Sequence, residues 1–170
     1  MVTGLKQTSS VVAIGFNATE TIANTFHQSS IDLNLSPLDR EVFVVLAVNL
    51  DPSSPTAVAG TDTVVSSSLT TTSQTAVQTL ASSNCLAVAQ NVIRSSGYID
   101  SGVGFSTLGS ETPPATLEYI GIIATNDFFV QIKGTGNPGT KEVNGKLYGY
   151  RARASADIFA ALVQSEVLSA

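Results

Sequence analysis

The chain has 170 residues, 43% of them hydrophobic and 12% charged, with a net charge of −5 from eight basic and thirteen acidic side chains. That length fits one domain, 1–170, large enough to hold a core without disulfides or metals. The charge balance argues against direct nucleic-acid binding, which needs clustered Lys and Arg, whereas the first ten residues carry only Lys6.

Taken in chain order, the strongest signal is β. Val11 to Phe16 is short, apolar and β-branched, and it predicts a strand. Ile31 to Leu35 alternates apolar and polar residues, the mark of a half-buried strand closed by Ser36-Pro37. Glu41 to Leu50 is apolar on both parities and predicts a central strand covered on both faces. Asp51 to Pro55 is a turn. Thr56 to Gln78, rich in Thr, Ser and Val, predicts one or two edge strands.

From Ser82-Ser83-Asn84 the period changes. These residues can cap a helix, and Leu86, Ala89, Gln90 and Ile93 follow at helical spacing, so a short helix is expected over Cys85 to Arg94. Gly97 to Pro114 reads as a long loop with a short strand near Val103 to Phe105. Thr116 to Thr125 and Asp127 to Lys133 read as a hairpin turning at Asn126-Asp127, and Asn144-Gly145 as a further turn. Lys146 to Ala154 predicts a strand with Tyr148, Tyr150 and Ala152 on one face and Leu147, Arg151 and Arg153 on the other. Ser155 can cap a C-terminal helix whose apolar face is Ile158, Phe159, Leu162 and Val163. Seven or eight strands separated by turns make the expected fold mainly β: an antiparallel β-sandwich or jelly roll with one or two short helices.

The chemistry-bearing motifs fail their required contexts. Gly134 to Gly139 matches G-x-G-x-x-G, but the segment after it reads as turn and strand, not as the helix a dinucleotide site requires. Pro138 also removes a backbone donor. Cys85 and His27 are the only thiol and imidazole. A nucleophile pair would need them within hydrogen-bond reach; the plainer alternative is a buried free thiol. They fall short of a zinc site. Gly104 to Gly109 has the wrong spacing for a serine nucleophile elbow. Asp39 and Glu41 flank Arg40, as a solvated turn or a cation site. The expectation is no enzyme, no cofactor and no metal.

What replaces charge is hydroxyl: Ser and Thr make up about a quarter of the chain, against a charged fraction about half the usual ~25%. Surfaces buried against partners are depleted in Lys, Glu and Asp, so a neutral surface points to an assembly subunit. The competing explanation is an extracellular Ser/Thr-rich module. Candidate subunit contacts are Tyr148, Tyr150, Arg151, Arg153, Phe159, Leu162 and Val163. The two arginines could equally lie on a solvated face or meet an acidic neighbour. A carbohydrate- or ligand-binding β-sandwich is the alternative function, with Tyr148 and Tyr150 as the stacking face. Met1 to Ser10 is too polar for a signal peptide, and the longest apolar run, Val42 to Val48, is too short to span a bilayer. Cytosolic synthesis is the expectation.

Together these features resemble a small virion coat (capsid) protein of the single jelly-roll kind. The resemblance is carried by the signal-free N-terminus, the strands Glu41 to Leu50 and Thr116 to Thr125, the neutral Ser/Thr-rich surface, and the closing strand and helix from Leu147 to Leu168. It implies a structural protein that self-assembles with copies of itself and other coat subunits, located in the virion after production in the host cytoplasm. In some members of such families the shell encloses an internal membrane; in others a basic arm contacts the genome. This chain has no such arm, and the resemblance offers no catalytic residue.

Overall fold

The computed structural model describes residues 3–108 and 117–169. Among the described residues ten strands run along the chain: β1 Leu5–Gln7, β2 Val12–Thr19, β3 His27–Asp32, β4 Glu41–Pro52, β5 Thr63–Thr70, β6 Cys85–Arg94, β7 Val103–Leu108, β8 Gly121–Ile123, β9 Asp127–Thr135 and β10 Glu142–Ala154. One helix, α1 Ala156–Leu168, closes it.

Every pairing between strands is antiparallel. One sheet runs β1/β2–β10–β4–β8, with β1 and β2 both pairing with β10, and the other runs β3–β9–β5–β6–β7. With the short β1 and the outlying β7 set aside, the first, eighth, third and sixth strands form one sheet. The second, seventh, fourth and fifth form the other. That is the interleaved order of a jelly roll, which folds two Greek keys into a double sheet.

The core lies between the sheets. Phe43, Val45, Val48 and Leu50 of β4 and Leu147 of β10 meet Val65, Leu69, Phe128, Val130 and Ile132 of the facing sheet. Phe16 and Phe128 cross it edge-to-face, with centroids 5.7 Å apart. The other parity of β4, Val42 and Val44, joins Ala152, Ala154 and the helix in a second cluster. Apolar residues on both parities of β4 are thus explained: one face looks into the sandwich and the other lies under α1. The step from Val45 to Val48 on the inner face comes from a bulge, because Gly149 pairs with Val45 and Tyr148 with Ala47, leaving Leu46 over.

Several expectations are corrected. Cys85–Arg94 is a strand, not a helix: Cys85, Ala87 and Ala89 are buried in alternation with more exposed neighbours, the period of a sheet residue. β5 is not an edge strand; it lies between β9 and β6. The 31–35 alternation straddles a strand end. β3 stops at Asp32, Asn34 takes a φ of 53°, and Leu33 and Leu35 are buried outside the ladder. β8 and β9 are not a hairpin, because they belong to different sheets. Asn144-Gly145 is mid-strand. A side chain at Gly145 would collide with the Phe16 ring and the Asn49 carbonyl, so this glycine serves close packing, not a turn. The predicted strand start at Thr116 and the 109–114 part of the long loop lie outside the described residues.

Candidate functional site

The sequence-predicted residues fall on one face and one corner of the β2–β10–β4–β8 sheet. Tyr148 and Tyr150 do share a face, and both are half-buried. Tyr150 packs in the cluster beneath α1 with Phe159, Leu162 and Val163. The apolar face of the helix is therefore seated on its own sheet. That seating removes apolar surface from water at roughly 25 cal/mol per Å². Ser155 occupies the N-cap position without a side-chain cap hydrogen bond, and Asp157 stands in the first turn.

Arg151 is a bracket within the chain. Its guanidinium pairs with Glu41 at 2.7 Å and donates to the carbonyls of Leu33 and Asn34. It ties the irregular 33–41 segment, which contains the positive-φ residues Asn34 and Arg40, to the end of β10. Arg153 approaches Asp39 at 3.7 Å with both side chains mostly exposed, a geometry of little energetic weight. Asp39 and Glu41 thus face arginines.

Three carboxylates not singled out in the sequence organise the loops. Glu20 is buried and accepts backbone N–H groups from Thr25, Gly134 and Lys141. Asn24 accepts the N–H of Asn137. The glycine-rich 134–139 loop, which matched a phosphate motif, therefore spends these amides on its own chain. Asp62 accepts from Ser96 and Ser95, and those N–H groups, aided by Arg94, hold its carboxyl below the usual value. Glu166 is the one buried residue of α1; it accepts the N–H groups of Ala124 and Thr125. Burial pushes its carboxyl up, opposed by those two hydrogen bonds. The sequence signal for Glu20 and Glu166 was a lone acid beside apolar neighbours, which a solvated residue also gives.

Cys85 and His27 are not brought together. β9 and β5 separate their strands, the buried thiol contacts the Ala87 carbonyl, and His27 faces the Ser29 hydroxyl. Burial raises the Cys85 thiol above its ordinary value, the opposite of nucleophile activation. Among the described residues no group of three or more His, Cys, Asp or Glu could hold a metal ion. No described helix is long and apolar enough to cross a membrane.

The outer face of the other sheet is polar and partly covered by the 71–84 loop. Buried Gln131 donates to Gln28 and Thr70 and accepts from Ser68, while Gln74 and Gln78 anchor the loop to Gln28 and Ser68. Beside this network lies a groove of about 520 Å³, lined by Ser66, Val77, Leu80, Val88, Gln90 and Lys133 among others.

No protein-family model and no curated protein matches the chain. Among solved structures, it is similar over 86% of its length to 87% of a chain of Desmodium yellow mottle tymovirus, at 15% identity and a TM-score of 0.34. At that level the likeness carries no functional argument, and the jelly-roll assignment rests on the strand order itself.

Proposed function

We propose that this chain is a non-catalytic structural subunit of a protein shell of the virion-coat kind, built by self-association. The supporting observation is the poverty of charge on its outside. Of twenty-one charged side chains, at least eight are engaged within the chain: six in three ion pairs and two as buried carboxylates. Meanwhile large apolar side chains stand in solvent, Leu38 at 96% and Ile99 at 86% exposure. A free monomer ordinarily keeps a surface of mixed charge; depletion of Lys, Glu and Asp is what subunit interfaces require. The jelly roll is compatible with shell building but does not imply it, because the same fold serves lectins and cupins. Electron microscopy of purified protein at micromolar concentration tests the reading. Closed shells or ordered arrays are expected; isolated particles of monomer size under every salt and pH would overturn it.

The groove beside the 71–84 loop favours a second reading, a ligand-binding module. Its size falls in the range of small-molecule sites, with hydroxyl and amide groups and one ammonium, Lys133, among apolar walls. A glycan or small-ligand screen with hits lost on Val88→Trp, in a protein that stays monomeric, would favour that reading over the shell.

A further inference from the structure

We infer that the free edge of β7 pairs antiparallel with the β7 edge of a second copy, joining two five-stranded sheets into one. The inference rests on the self-association reading and names where it happens. A free strand edge presents unpaired N–H and C=O groups, and proteins blunt such edges with shortness, bulges, charge, proline or a covering loop. Among the described residues the sandwich has four edges, and three are blunted.

The β8 edge is three residues long. The β1/β2 edge is broken: Gln7 pairs with Ala152 and Val12 with Gly149, so residues 8–11 stand against only Tyr150 and Arg151. There the Ser9 hydroxyl accepts the Arg151 N–H in place of a ladder bond. The β3 edge carries His27 and Asp32, and the 71–84 loop grips it through Gln28, which bonds Ser73 and Gln74.

Among the described residues β7 shows none of these devices. Its six residues, Val103 to Leu108, hold no charge and no proline, and its register against β6 is unbroken from Val103 to Leu108. Val103 and Phe105 are 46% and 56% exposed. Among the described residues no strand pairs with its far edge. In place of water, the protein partner that matches the alternating donors and acceptors of such an edge is another strand.

A second copy of β7 supplies such a strand. A two-fold axis sets the strand against itself, so like charges placed opposite would repel, and β7 carries none. Such a contact is isologous and closes as a dimer. A six-residue ladder buries less than a standard stable interface, so the pairing is weak alone and gains strength by repetition in a shell.

Single cysteines placed at each of residues 103–107 test this, in a background whose own Cys85 is buried. Opposed residues of an antiparallel pair lie about 4.5–5.5 Å apart, inside disulfide range. Mild oxidation should give a covalent dimer peaking at the one or two positions nearest the axis. Cysteine at exposed Leu38 serves as the control for random collision. Phe105→Lys, which places two ammonium groups near the axis, should weaken self-association by about tenfold or more with an unchanged circular dichroism spectrum. If the unmodified protein associates but no position exceeds the Leu38 control and Phe105→Lys associates normally, the β7 pairing is wrong and the shell reading stands. If the unmodified protein is monomeric throughout, both are wrong.

Discussion

Glu166, near the end of α1, accepts the backbone N–H of Thr125 at 2.9 Å and so fastens the C-terminal helix to the segment between β8 and β9. The rest of the seating is apolar, which makes this carboxylate the polar fixing point. Burial raises its pKa in the folded chain. Its stabilising contribution is therefore complete below the pKa of the unfolded chain and is lost as pH rises through the raised folded value. Helix docking should be firmest in mild acid. Thermal unfolding between mild acid and neutral pH checks it: the difference between wild type and Glu166→Gln should move in favour of Gln as pH rises. Glu166→Ala, which leaves the Ala124 and Thr125 amides unpaired, should cost about 1–3 kcal/mol.

The two arginines of β10 should behave differently despite lying two residues apart. Arg151→Ala removes a half-buried guanidinium from Glu41 and two carbonyls and should cost about 1.5–3 kcal/mol in denaturant unfolding. Arg153→Ala breaks only an exposed, long contact and should change stability by less than about 0.5 kcal/mol. Equal effects would contradict the bracket assigned to Arg151.

Glu20 gathers three backbone amides from two loops at one carboxylate. Glu20→Ala should lower stability by about 3 kcal/mol or more, since each buried donor left without a partner is costly. Hydrogen exchange should show the amides of Thr25, Gly134 and Lys141 losing protection together. Loss at only one of them would mean the loops are held independently.

Leu162 and Phe159 face their own sheet. Leu162→Ala should therefore destabilise the fold by about 1–3 kcal/mol at every protein concentration. A side chain whose role lay only between subunits would instead shift assembly and leave the unfolding of the dispersed chain unchanged.

The long strands were legible because their evidence is local. Glu41–Leu50 is apolar on both parities for reasons the fold bears out, one face inward and one beneath α1. Lys146–Ala154 kept its predicted faces. The failures arose where tertiary context decides. Leu86, Ala89, Gln90 and Ile93 happen to be spaced like a helix, while the residues that face the core, Ala87 and Ala89, alternate with apolar Leu86 and Val88 and so give no apolar–polar period. The turn at Asn126 looks like a hairpin, yet its side chain bonds Leu35 and Asp32 and directs the chain across to the other sheet. Nothing local distinguishes those outcomes. The faces on which Tyr148, Tyr150, Arg151 and Arg153 lie were readable from the alternation along 146–154. The β7 edge was not, since an edge is defined only by which strands lie beside it.

Sedimentation velocity across a range of protein and salt concentrations tests the central claim most directly. Neutral interfaces are little affected by screening, so assembly should grow with protein concentration from the micromolar range and change little with added salt. A single species of monomer mass, unchanged by concentration, would contradict the account.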